Sequence, residues 1–201
     1  MKFRFMLAGL TIIALGCLTG SALFGSAAAA SETESYTIDD VHSSVVFKIN
    51  HVGASNFYGV FREIAGDFAW NPDDPDQISF NISIPTASVD SRNAGRDRHL
   101  KSPDFFNVAE FPAITFKSTS VAPDGSNTYN VTGDLNLHGV TKAMTARVQF
   151  IGEADFQGKH RAGFDASLSI KRSDFGMTTY VKEGALGDEV TLMIGIEGIQ
   201  Q

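Results

Sequence analysis

Five histidines, His42, His51, His99, His138 and His160, are the side chains best suited to hold a metal or move a proton. Their spacing does not favour a metal. His42 and His51 stand nine positions apart on one extended stretch, which would separate them by roughly 30 Å and turn them to opposite faces. His138 and His160 lie beside glycine-containing turn signals. No HxH, HExxH or carboxylate-rich calcium loop occurs, and the single cysteine, Cys17, falls in the N-terminal leader. No metal ligand is therefore expected. A serine nucleophile on a GxSxG elbow is missing, as are phosphate-cradling and dinucleotide glycine loops. The one tight pairing of acid and histidine, Asp97-Arg98-His99, has a spacing of two, which points its ends to different sides of a helix. The expectation is a protein with no catalytic residue and no cofactor.

What the chain has in quantity is aromatic apolar surface, with sixteen phenylalanines, of which Phe3, Phe5 and Phe24 precede residue 31. The elements that would position the rest are strands, because from Tyr36 onward apolar residues recur with period two. Val45, Phe47 and Ile49 alternate with Val46, Lys48 and Asn50, and Phe80 and Ile82 sit with Ile78 and Ile84 against Ser79, Asn81 and Ser83. Leu135 and Leu137 follow Tyr129 and Val131. Phe150 follows Met144, Ala146 and Val148, Phe164 and Leu168 share a face with Ala162, Ala166 and Ile170, and Ile194 with Val190, Leu192 and Ile196. Between Phe57 and Trp70, Val60, Ile64 and Phe68 share a parity, and a further strand centres on Phe116. Breaks at Pro123-Asp124-Gly125, His138-Gly139 and Gln157-Gly158 suit antiparallel turns.

About eight strands with one apolar face each can form a sandwich or close into a barrel. Eight in a barrel leave an interior that side chains fill or that holds one small ligand. One segment departs from the pattern. Residues 94–101 have helical composition, and Ser102-Pro103-Asp104 reads as the N-cap of a second short turn leading into Phe105 and Phe106. Those two rings either cover one end of the fold or plug its core.

Residues 1–30 differ in kind: Lys2 and Arg4, an apolar run from Phe5 to Leu18, then Ala27 to Ala30. That is the pattern of a signal peptide, and residues 31–201 then form one domain. Ala14-Leu15-Gly16-Cys17 loosely resembles a lipoprotein cleavage box, but the usual leucine is Ala14. Export to the periplasm without a lipid anchor is the expectation. The net charge of −7 disfavours nucleic acid and anionic membranes as partners. No second long apolar run suggests stable membrane insertion.

Four blocks together resemble the YceI-like family of polyisoprenoid-binding periplasmic proteins. They are Tyr36 to Asp39 with His42 to Gly53 and Gly59 to Phe61; His99 to Val108 with Phe111 to Ser118; Gly133 to Lys142; and Arg172 to Met177 with Gly187 to Val190. Asn107, where the family often has aspartate, and Asn136 with His138 are small departures at polar positions. The resemblance implies an all-β, eight-stranded antiparallel lipocalin-like barrel with a short helical insertion, carrying a long apolar lipid inside. A polyisoprenoid, an isoprenoid quinone or a fatty amide would each suit. Val45, Phe47, Ile49, Ile64, Phe68, Phe80, Ile82, Phe116, Leu135, Leu137, Phe150, Phe164, Leu168 and Ile194, with Phe105 and Phe106, are then the candidate ligand contacts, and Arg98 and Lys101 the candidates for a charged head group. A chain of about forty carbons would bind tightly even at ~0.3 kcal/mol per atom net. The other readings are a secreted β-barrel interaction module and a metal-dependent enzyme. Oligomeric state is not legible.

Overall fold

The structure, a computed structural model, describes residues 31–201, so the expected signal peptide and Cys17 lie outside the described residues. Eleven strand segments join in one antiparallel sheet. They are β1 (Glu34–Ile38), β2 (Ser44–His51), β3 (Ser55–Phe61), β4 (Ala65–Trp70), β5 (Ser79–Pro85), β6 (Val89–Asp90), β7 (Ala113–Pro123), β8 (Thr128–Leu137), β9 (Val140–Phe156), β10 (Lys159–Lys171) and β11 (Leu186–Gln200). Hydrogen bonding runs β1-β4-β5-β7-β8-β9-β10-β11, and β11 pairs back to β1, which closes an eight-membered ring. Closure removes exposed strand edges around the base.

The other three segments are continuations. β2 carries on from β1 along the same edge of β11, β3 precedes β4, and β6 follows β5, so three staves of the barrel are each interrupted once. The breaks lie side by side and their backbone groups find new partners, as buried polar groups must. Asp39 N–H donates to Glu197 O at 2.8 Å, Ile64 N–H to Asp40 Oδ1 at 2.7 Å, and Arg62 N–H to Ser88 O at 3.1 Å. Arg161 clamps the seam by binding Asp39 Oδ2 at 2.8 Å and the Glu197 carboxylate.

Hairpin chemistry sets the register elsewhere. His138-Gly139 and Gln157-Gly158 all have positive φ, the two-residue turn whose twist matches the strands on either side. The alternation seen in the sequence puts Val45, Phe47 and Ile49 inside on β2, and Tyr129, Val131, Leu135 and Leu137 inside on β8. It fails between Phe57 and Trp70. That stretch is two strands, with Phe57, Gly59 and Phe61 inward on β3 and Phe68 and Trp70 inward on β4, because residues 62–64 leave the ladder and reset the parity. Val60 therefore faces outward, and Ile64 is buried in the break itself.

One helix, α1 (Ala94–Lys101), follows β6. Its N-cap is Asn93, whose side chain accepts from Arg96 N–H at 2.9 Å. Ser102 ends the helix, its backbone N–H and hydroxyl both donating to His99 O, and also opens the expected second turn, its Oγ accepting from Asp104 N–H at 3.3 Å and its carbonyl from Phe105 N–H at 3.1 Å. The chain then turns through Phe105 and Phe106 across the barrel end. No helix among the described residues is long and apolar enough to cross a membrane.

Candidate functional site

The barrel interior changes character along its axis. At the end covered by α1 it opens into a cavity of about 330 Å³, walled by β2, β3, β8, β10 and β11 and roofed by two irregular segments. One roof segment is α1 with the turn that holds Phe105 and Phe106. The other is the 177–186 loop, whose Thr179 hydroxyl donates to Asp104 O at 2.6 Å. His99 and Phe105 pack edge to face at 4.9 Å, and Tyr180 lies 6.3 Å from each. A second cavity of about 70 Å³ lies deeper, lined wholly by apolar residues. Phe61, Ile114, Leu135 and Leu192 border both, so the two are successive chambers of one channel.

Below the second chamber the barrel is solid. Trp70 stacks on Phe150 at 4.6 Å and meets Phe164 edge to face at 5.0 Å. Phe164 in turn meets Phe68 at 5.2 Å and Phe80 at 5.4 Å, while Tyr36 stacks on Phe68 at 4.8 Å. Offset and edge-on aromatic contacts of this kind add to simple area burial and hold their geometry. Gly198 makes room for the plug, because a Cβ there would come within 2.3 Å of the Phe68 ring.

The sixteen side chains expected at a ligand thus divide four ways. Phe47, Ile49, Phe105, Phe106, Leu135 and Leu137 line the outer chamber, and Val45, Phe80, Ile82, Phe116, Leu168 and Ile194 the inner one, which Leu135 also borders. Phe68, Phe150 and Phe164 belong to the plug, and Ile64 borders neither chamber. Arg98 and Lys101 do not line the channel. On α1 the channel-facing side carries Arg96, His99 and Leu100, a spacing of three and four that shares one helix face.

Arg96 spreads its guanidinium 4.4 Å over the Phe57 ring and donates to Ser91 Oγ and Ser91 O, fixing the rim. Arg172, the residue just past the end of β10, was not expected. Only 3% exposed, it donates to Gly187 O at 2.8 Å, Met177 O at 3.0 Å and Leu186 O at 3.1 Å. Burial draws its pKa down, with Asp188 opposing. Its signal in the sequence was an arginine ending an otherwise apolar-faced strand.

Carboxylates and histidines do gather elsewhere, across strands that the spacing argument kept apart. Glu34, Glu153 and His160 bring one ligand atom each within 4.8 Å of one another, as do Asp39, His42 and Glu197. In the second group Arg161 already neutralises both acids. In the first, His160 Nδ1 lies 2.8 Å from Asp155 Oδ1, which raises the histidine pKa, and Glu34 accepts from the buried Tyr36 hydroxyl. Neither group borders the channel.

The sequence from 36 to 198 matches the YceI-like domain. The chain belongs to the YceI-like family. Protein YceI of Escherichia coli O157:H7 is 40% identical over 188 residues, 93% of this chain and 97% of that one. The crystal structure of a Campylobacter jejuni YCEI protein superposes with a TM-score of 0.68 at 32% identity, over 83% of this chain and 98% of that one. A polyisoprenoid binding domain from Saccharophagus degradans shares the fold at a TM-score of 0.67 and 14% identity, over 84% of this chain and 99% of its own. The eight-stranded barrel with one helix is thus a YceI-like barrel.

Proposed function

We propose that the protein is a periplasmic carrier for a long apolar lipid of the polyisoprenoid or isoprenoid quinone class, held tail-first in the barrel, and that it turns over no substrate. The observation that carries this reading is the two-chamber channel: apolar along its length, open beneath α1, blind at the aromatic plug. Its few polar side chains, His51, Arg96, His99, Arg172 and Tyr180, all border the outer chamber. A lipid with a polar head and an apolar tail fits that polarity. Membership of the YceI-like family, and the polyisoprenoid named for the Saccharophagus domain, support the same ligand class.

The test is mass spectrometry of organic extracts from protein purified from its own host, paired with melting curves. A prenyl lipid or quinone near one-to-one is expected, and delipidation should lower the melting temperature. Re-adding such a lipid should raise it with concentration, as for any ligand that binds only the folded state. Lipid-free protein, indifferent to every long-chain lipid tried, would sink the reading in favour of an interaction module.

A further inference from the structure

Past the aromatic plug, at the end of the barrel away from α1, the inward-facing strand positions turn from apolar to charged. We infer that Glu34, Glu153 and His160 form a binding site there for a divalent transition-metal ion of the zinc class. Period two puts Glu34 on the face of buried Tyr36 in β1, and His160 on the face of buried Ala162 and Phe164 in β10. β9 joins them by an irregularity. Its ladder with β10 pairs Phe150 with Phe164 but Glu153 with Ala162 and Asp155 with His160, leaving Ile151 as an extra residue. Register partners share a face, so this bulge turns Glu153 and Asp155 inward, where an unbroken strand would point them to solvent.

His160 is oriented as metal-bound histidines are. Its Nδ1 lies 2.8 Å from Asp155 Oδ1, and with Nδ1–H donating to that carboxylate, Nε2 presents a lone pair. Nε2 faces Glu34 Oε2 at 4.0 Å and Glu153 Oε2 at 3.9 Å, too far for a hydrogen bond to either. Among the described residues, the three carboxylates have no ion-pair partner within 4.0 Å other than His160. A cation in that gap meets one nitrogen and two oxygens, all within 4.8 Å of one another. Ligand atoms of tetrahedral zinc sit about 3.4 Å apart, so each gap has to close by about half an ångström. The two glutamates are each 37% exposed and free to rotate by that much, while the fully buried Tyr36 steadies Glu34 through its hydroxyl. Three protein ligands leave a fourth position for water. An imidazole in the set favours zinc and its first-row neighbours over calcium and magnesium, which take all-oxygen shells. The bound ion would tie β1 to β9 and β10 across the end of β11 and stabilise the folded state.

Isothermal titration of untagged, EDTA-treated protein with zinc chloride tests the site. One saturable site is expected, with a melting temperature that rises as zinc is added and barely responds to calcium at the same concentration. His160→Gln and Glu153→Gln should each weaken zinc binding by about a hundredfold or more, and Asp155→Asn, which removes only the orienting bond, by about 10–100-fold. His42→Gln should leave it unchanged, because Arg161 already holds both acids of that group. Circular dichroism verifies folding of each variant. If His160→Gln does not fold, Glu153→Gln, on a side chain further from the plug packing, carries the test. Absence of saturable zinc binding, equal binding of calcium, binding that survives in a folded ligand variant, or binding lost in His42→Gln overturns the site. None of these results touches lipid binding, since the three ligands border neither chamber.

Discussion

At the wall of the outer chamber Arg172 is bound to three backbone carbonyls that come from both ends of the 177–186 roof loop and the start of β11. Its planar fork matches them in a way an ammonium does not. Arg172→Lys should cost about 2–4 kcal/mol in urea unfolding, since buried carbonyls lose their donors. It should also raise amide exchange in residues 176–187 before the barrel opens. The inward and outward faces can be separated in the same manner. Phe116 lines the inner chamber and Lys117 is exposed, so Phe116→Asp should lose about 3 kcal/mol or more while Lys117→Asp stays near zero. Equal effects would mean a register error of one residue. Acid stability has its own residue. Arg161, and after it His42, hold the Asp39 carboxyl at about 2, below its ordinary 3.8. A depressed carboxylate stabilises fully above its unfolded value and loses that contribution as pH falls from about 4 towards 2. Urea midpoints measured between pH 5 and pH 2 should therefore fall less steeply in Asp39→Asn than in the parent.

Elements show where the sequence was transparent and where it was opaque. Period two marked strands, and its parity put the right residues inside on β2, β5, β8, β9, β10 and β11, because one buried face leaves no freedom of register. It misassigned Val60 because a three-residue break in a stave resets parity without leaving a Gly or Pro signal. Parity also says only in or out. Depth along the axis, which separates Phe116 at a void from Phe164 in the plug, depends on how strands stagger on closure. The choice of Arg96 over Arg98 depends on which face of α1 docks. The Glu34, Glu153 and His160 group needed β1 to come round beside β11, one stave beyond β10, a fact that only ring closure supplies. One pair tests the β2–β3 wall. Phe47 lies flat over Gly59, its register partner, where a Cβ would come within 2.2 Å of the ring. Gly59→Ala should push that ring into the outer chamber, destabilise by about 1–3 kcal/mol and weaken prenol binding. Adding Phe47→Ala should restore binding, which a titration of the double variant would check.

For the molecule as a whole, the first described residue is already part of the fold. Ser31 Oγ donates to Asn71 Oδ1 at 2.8 Å, and Asn71 Nδ2 returns a bond to Ser31 O at 2.9 Å, at the end of β4. Cleavage after Ala30 would leave that tie intact, and the intact mass of periplasmic protein should correspond to a chain starting at Ser31. A mass starting at Cys17 with an added acyl group would replace a free carrier with a membrane-tethered one.

Trp70 is the only tryptophan in the chain, and it sits inside the plug beneath the channel, bordering neither chamber, 2% exposed, with its ring on Phe150 and its indole N–H without an acceptor among the described residues. The protein thus carries one built-in fluorophore at the bottom of its own well. Emission from that ring depends on its packing, so a molecule confined to the chambers leaves the spectrum still, while one that displaces the plug shifts it. The state of the plug becomes an optical signal of its own, readable without label in a dilute cuvette of the purified protein.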